Sequence, residues 1–260
     1  MLKPGFFNSV FVVPILNLLV LFYIGFTFLK IPWAFGFSIV ALTALVRIIL
    51  RPFFNQQMQT ARRMQELKPQ IDDLQKRYKD DKKRFQQEQL KLYQQAGINP
   101  AAGCLFMIVQ IPVFIALYQS MLLFLQKGDQ ATIIAQINKV MYFPFLKITS
   151  IDPWFFGFNL ALSPSVAKNP IYFIIPVITA FLQYYQVKVS TPDQPKQEKE
   201  QGKDNKEDFQ KAMNTQMKYI FPILIGWFSY TLPVGLSLYW NVFSLFSIIQ
   251  YKKIKPSTNK

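Results

Sequence analysis

The residue whose type and surroundings call most directly for chemistry is Arg47. It sits in the apolar run Ser38, Ile39, Val40, Ala41, Leu42, Thr43, Ala44, Leu45, Val46 and is followed by Ile48, Ile49 and Leu50. On a straight helix rising about 1.5 Å per residue, it lies about 12 Å from Asn55. A guanidinium at that depth in a bilayer costs roughly 2.5 to 3.5 kcal/mol on insertion scales, so it is expected to face a protein interior or water and to mark function. Thr43 stands one turn away on the same face. Gln110, Tyr118, Gln183, Tyr239, Asn241 and Ser244 add polar groups to other apolar runs.

Other chemistries are removed by composition. The chain has no histidine, one cysteine and 14 carboxylates, all of them in loops or at helix ends. A proton relay or cation site normally needs an acid within the membrane, so an ion-coupled transporter is disfavoured. Without histidine there is no Ser-His nucleophile, and no aspartyl pair is available within the spans. Cys104 alone makes neither a disulfide nor an ordinary zinc site and reads as a small residue near a helix end. No metal, cofactor or enzymatic activity is expected. What remains is a cation without an acid of its own, which invites a transient acidic or polar guest.

The elements that position Arg47 are apolar runs at residues 9–29, 36–54, 103–125, 170–187, 219–232 and 234–250. A hydrocarbon core needs roughly 20 helical residues to cross, so the chain reads as an all-α membrane protein. Pro14, Pro112, Pro176 and Pro222 read as kinks within helices rather than ends, since neighbouring helices can re-satisfy the freed backbone groups. The last two runs form one hairpin turning at Leu232, Pro233, Val234 and Gly235.

The formal charge of +15 is concentrated in particular loops. Residues 55–100 hold 10 Lys or Arg, residues 188–218 hold 7, and the loop 126–169 holds only 4. The positive-inside rule puts the two basic loops and the tail in the cytoplasm, and Trp154, Phe155, Phe156 and Phe158 at the opposite interface. This placement argues against sequence-specific binding of nucleic acid and for contact with anionic lipids.

Residues 9–29 have no small-residue cleavage site, so a removable signal is not expected. They read either as a span or as a helix along the outer interface. Met64, Leu67, Ile71, Leu74 and Tyr78 form one apolar seam, and Phe85, Gln89, Leu92 and Ala96 a second. Two antiparallel helices joined near Asp80 and Asp81 follow, with Gly97 as a C-terminal cap and a turn at Asn99 and Pro100. The hairpin carries 10 basic against 6 acidic residues, net +4.

Three segments taken together resemble the YidC insertase family, the bacterial branch of the oxidase-assembly and Albino insertases. They are GFSIVALTALVRIILRPF (36–53), LKPQIDDLQKRYKDDKKRFQQEQLKLYQQAGINPAAGCLFMIVQIPVFIALY (67–118) and FPILIGWFSYTLPVGLSLYWNVFSLFSIIQ (221–250). The resemblance implies a five-transmembrane-helix core, a cytoplasmic helical hairpin, an outer-face helix before the core, and a hydrophilic groove open to cytoplasm and lipid. It puts Arg47, Thr43, Gln110, Tyr239 and Trp240 in that groove, and Asn241 joins them as a candidate. Phe106 stands where the family usually has Pro, residues 9–29 are more apolar than the family's outer helix, and a large outer domain and long basic tail are missing from the pattern.

The expected domains are 1–35 as the N-terminal apolar or interfacial helix, 36–55 as the first core helix, 56–100 as the cytoplasmic hairpin and 101–126 as the second helix. They continue with 127–168 as the outer loop, 169–189 as the third helix, 190–214 as a flexible cytoplasmic loop, 215–251 as the hairpin of the fourth and fifth helices, and 252–260 as a basic tail. The implied activity is insertion of newly made membrane proteins, with nascent membrane proteins as partners and the ribosome and general secretion channel as further candidates. An assembly factor for already inserted helices and a small-solute transporter are the other readings. The transporter predicts an internal repeat with broken helices, and the sequence contains none.

Overall fold

The computed structural model describes residues 5–79, 81–98, 101–124, 129–190 and 219–253, with the backbone alone at 57, 61, 82, 101–110 and 190. The turn at Asn99 and Pro100, most of the loop 190–214 and the tail beyond Lys253 lie outside the described residues.

The chain is mostly helical. A π-helical turn over Asn8–Val12 leads into α1 (Val13–Phe28), and a five-residue link reaches α2 (Ala34–Ile49). There follow α3 (Arg51–Glu66), α4 (Lys68–Arg77), α5 (Lys82–Gln95), α6 (Ala101–Phe124) and α7 (Gln130–Asn138). A two-stranded ribbon pairs β1 (Trp154–Phe155) with β2 (Phe158–Asn159). Then come α8 (Ile174–Ser190), α9 (Phe221–Thr231) and α10 (Val234–Lys253). Among the described residues two helices are long and apolar enough to cross a membrane, Asn8–Phe28 and Pro170–Val189. A third qualifies if α2 and α3 count as one broken span.

That broken span departs from the sequence expectation. The largely apolar run, interrupted by Arg47 and Arg51, continues to Phe54, but the helix axis turns by 64° between α2 and α3. Pro52 occupies the first turn of α3, where its missing N–H costs nothing. Arg47 is therefore in the last turn of α2, and the 12 Å drawn along a straight helix to Asn55 does not apply. Pro14 follows a π-helical turn within the continuous helix Asn8–Phe28, and Pro222 likewise follows π-helical residues 219–220 at the start of α9. Pro112 does lie inside a continuous helix.

The other helix ends follow local rules. Pro69 stands in the first turn of α4, whose N-cap is Leu67. Asp81 caps α5 by accepting the Arg84 N–H at 3.0 Å. At its far end Gly97 adopts φ +64°, and Ile98 N–H donates to Tyr93 O at 2.8 Å while Gly97 N–H donates to Gln94 O at 3.0 Å, the paired bonds of a Schellman motif. Both seams of this hairpin, Met64 to Tyr78 and Phe85 to Ala96, are half-buried.

Packing around α8, α9 and α10 inverts the pattern of a water-soluble protein. Val177, Ile178 and Phe181 of α8 and Ile223, Leu224, Trp227 and Phe228 of α9 are exposed, while Thr179, Gln183, Ser229, Ser237 and Ser244 are buried. Ser229 donates to Thr179 Oγ1 at 3.1 Å and shares a 2.7 Å hydrogen bond with Ser237; Ser244 donates to Gln183 Oε1 at 2.8 Å. Gly226 lets α9 approach α8 so closely that a Cβ there would stand 2.9 Å from Ala180 Cβ. Small residues at the contact, hydroxyls bonded across it and an apolar exterior are what helix packing in lipid requires.

The segment 129–170 packs against one end of the bundle. Phe155 lies on Gly36, Trp33 meets Phe156 at 4.2 Å between ring centroids, and Phe35 stacks on Phe124 at 5.0 Å. Ser120, near the C-terminal end of α6, donates to Val12 O at 3.3 Å. Val234 and Gly235 N–H donate to Leu162 O and Leu160 O, which fixes the start of α10 at this same end. At the other end α3, which leads into the α4–α5 hairpin, meets the last turns of α10 through Arg62 and Gln65.

Candidate functional site around Arg47

Arg47 is held where α2, α3 and α10 meet. Its side chain is only 4% exposed. Nη2 donates to Phe243 O at 2.9 Å and to the Ser247 hydroxyl. The guanidinium carbon lies 3.9 Å from the centre of the Phe54 ring and 3.7 Å from that of Phe243, so an aromatic ring from α3 and one from α10 cover it. Nε and Nη1 have no hydrogen-bond partner, and no carboxylate bonds to Arg47 among the described residues.

These contacts explain how a charge persists there without an acid. A cation over a desolvated ring gains up to about 2 kcal/mol, and a hydrogen bond from a charged donor about 1.5 to 3 kcal/mol. Together they offset an insertion cost of roughly 2.5 to 3.5 kcal/mol. Neutral partners leave the positive charge uncompensated, and two nitrogens keep donors in reserve.

The neighbouring helix start is latched by three further interactions. Gln250 donates to Asn55 Oδ1 at 2.9 Å, Arg62 donates to Tyr251 O at 3.0 Å, and Gln65 donates to the Tyr251 hydroxyl at 3.0 Å. One face of α3 thus runs along the last turns of α10 and carries Phe54 onto the guanidinium.

The remaining candidates divide. Tyr239 is buried and its ring lies 5.9 Å from that of Phe243, one aromatic step from Arg47. Phe114 of α6 meets Tyr239 at 6.3 Å and stacks on Trp240 at 5.8 Å. Thr43 is buried, but its hydroxyl donates to Ile39 O of its own helix at 2.6 Å. Asn241 is half-buried, and its Oδ1 has no hydrogen-bond partner among the described residues. Gln110, Cys104 and Phe106 lie in the part of α6 whose side chains are outside the described residues. The sequence reading missed Phe54, Phe243 and Ser247. The available signal was the row Tyr239, Phe243, Ser247 at four-residue spacing, which fixes one face of α10.

Residues 26–260 match the model of a family described as 60Kd inner membrane protein. The chain belongs to that family. A relative from Alkalihalophilus pseudofirmus named membrane protein insertase YidC is 32% identical over 227 residues, covering 84% of this chain and 71% of the relative. A YidC from Oceanobacillus iheyensis is 28% identical over 256 residues, covering 95% of this chain and 83% of the relative. The chloroplast inner membrane ALBINO3-like protein 2 of Chlamydomonas reinhardtii is 32% identical over 233 residues, 88% of this chain and 51% of the relative. The chain spans about half the length of the chloroplast relatives it matches.

Proposed function

We propose that the protein is a membrane protein insertase that accepts polar flanks of newly made membrane proteins at Arg47 and releases their apolar segments into the bilayer without ATP. The observation that carries this reading is a buried guanidinium with no acid partner and two unbonded nitrogens. Relatives named insertases support the class of activity. The obstacle in insertion is moving a short polar flank through hydrocarbon, and a fixed positive charge offers an acidic flank a partner partway. Burial of the following apolar segment, at about 25 cal/mol per Å², drives the transfer to completion.

Arg47 starts closed under Phe54 and Phe243, so a flank carboxylate must displace a ring to reach Nε and Nη1. Exchange of a cation–ring contact for a charge-assisted hydrogen bond is close to balanced, which suits a site that must also let go. Tyr239 and Trp240 line the exit beside α6, and Thr43, Gln110 and Asn241 are assigned to the same groove.

The charge distribution supports a cytoplasmic α4–α5 hairpin and an outward-facing 129–170 segment. The contact of Val12 with Ser120, and the five-residue link from α1 to α2, favour α1 lying along the outer interface rather than crossing it. Nascent membrane proteins are the partners; the ribosome and the general secretion channel are further candidates, and the basic hairpin suits anionic lipid.

The test is reconstitution of the purified protein alone into liposomes, with insertion of a small two-span substrate read by protease protection. Insertion above protein-free liposomes is expected without nucleotide. Equal insertion in both would instead favour an assembly factor acting on already inserted helices.

A further inference from the structure

The segment Lys139–Ser150 is built to hold large rings outward. At its base Asn138 Nδ2 donates to Ile148 O and Ile148 N–H donates to Asn138 Oδ1, each at 2.9 Å. Asn17 of α1 grips it a second time, donating to Val140 O at 3.0 Å and accepting the Tyr142 N–H at 2.8 Å. Between these two clamps Tyr142, Phe143 and Phe145 are 55%, 54% and 65% exposed, with the two phenyl rings stacked at 5.4 Å. A mobile loop would expose rings by default, but a clamped loop that does so presents an interaction surface.

The charges flanking that tip are of one sign. Lys139 and Lys147 stand on either side of it, and Asp152, the acid nearest the crevice, has its Oδ1 taken by the Trp154 N–H at 3.1 Å. Beside Lys147 a crevice of about 280 Å³ opens between α1 and Lys147–Ser150. Lys147 and Thr149 on one wall face Thr27, Ile24 and Phe28 on the other, and Phe28 is 84% exposed. The Tyr23 hydroxyl, which also borders the crevice, is occupied by Ser150 O and the Asp152 N–H. The crevice therefore offers an anion its ammonium and hydroxyl groups on one side and an acyl chain an apolar wall on the other. A free phosphate uses only the first half and a helix of another protein only the second.

We propose that Lys139–Ser150 and the facing end of α1 form a binding site for an anionic phospholipid, with the headgroup at Lys147 and the Tyr142–Phe145 tip in the same leaflet. On the orientation proposed above this is the outer leaflet. The site itself does not depend on the insertion mechanism. Aromatic residues flanked by lysines favour this boundary because the rings take the acyl side and the ammonium groups the phosphates.

The experiment uses full-length Cys104→Ser protein with Phe145→Cys carrying an environment-sensitive fluorophore, in phosphatidylcholine vesicles with and without phosphatidylglycerol. The expected result is a blue-shifted probe, quenched by lipids with a spin label high on the acyl chain and shielded from aqueous iodide. Phosphatidylglycerol retained by the detergent-purified protein is counted by native mass spectrometry. Lys147→Gln and Lys139→Gln should each weaken it about fivefold, the equivalent of about 1 kcal/mol per lysine. A probe open to iodide in vesicles would overturn the proposal. So would shielding that scales with protein density rather than lipid, which signals a second copy, or displacement of the lipid by inorganic phosphate, which signals a simple anion site.

Discussion

Replacing Phe54 by Ala should open the site around Arg47. Phe54 is 3% exposed and its ring centre lies 3.9 Å from the guanidinium carbon, so the substitution removes one of the two covers and leaves Phe243 as the other. A desolvated cation–ring contact contributes about 2 kcal/mol to the closed arrangement. At 1.4 kcal/mol per factor of ten, its loss raises the open fraction about thirtyfold. Ser247, bonded to the guanidinium and 7% exposed, reports on opening. In a Cys104→Ser background, the maleimide labelling rate of Ser247→Cys is compared with and without Phe54→Ala. A rise on the order of tenfold to thirtyfold is expected, with helical content and elution profile unchanged. Removal of a buried Phe costs up to about 3 to 5 kcal/mol in a well-packed core, so a lower melting temperature is expected as well. A labelling rate unchanged within about twofold in a folded variant would refute the idea that Phe54 controls access.

Three further outcomes follow from the packing. Ser229→Ala removes hydrogen bonds to Thr179 and Ser237; at about 0.6 kcal/mol each within a membrane, the loss is about 1 kcal/mol, read as a lower midpoint in detergent unfolding. Gly36→Ala drives a Cβ into the Phe155 ring and should detach the β1–β2 ribbon from α2, seen as faster proteolysis between residues 153 and 160. Asp129 caps α7, and hydrogen bonds from the Thr132 hydroxyl and from the Thr132 and Ala131 N–H groups hold its carboxyl below the usual carboxylate range. A depressed folded-state pKa gives stability that is present above the ordinary value of about 3.9 and lost as pH falls through the folded value. Asp129→Ala should therefore lower the melting temperature at pH 7 and match the unmodified protein once the pH is well below that range.

Helix order was legible because hydropathy and turn chemistry act over a few residues. Gly97 reads as a cap because only a positive φ ends α5 that way, and Leu232–Gly235 reads as a turn because Pro233 cannot continue α9. The bend after Ile49 was not legible: Ile48, Ile49, Leu50, Phe53 and Phe54 stay apolar through it, and hydropathy records burial in lipid but not direction. Arg51 and Pro52 were the local cues. Asn17 looked like an interruption of its apolar helix, but its amide is the clamp for Val140 and Tyr142, a use set by a loop 123 residues away. Arg47 stood out as a charge in an apolar run, whereas Ser247, 200 residues distant, becomes its partner only when α10 packs on α2. Two rings cover the Arg47 guanidinium, because neutral aromatic faces stabilise a cation without supplying an acid.

The central claim is that the uncompensated charge at Arg47 recruits acidic flanks. Its most direct measurement is insertion into proteoliposomes of paired substrates that differ only in carrying Asp or Asn in the translocated flank, with the unmodified protein and with Arg47→Gln. The acidic substrate should insert better than its neutral partner with the unmodified protein, and that advantage should vanish with Arg47→Gln. An advantage that persists undiminished in the Arg47→Gln protein would contradict the account.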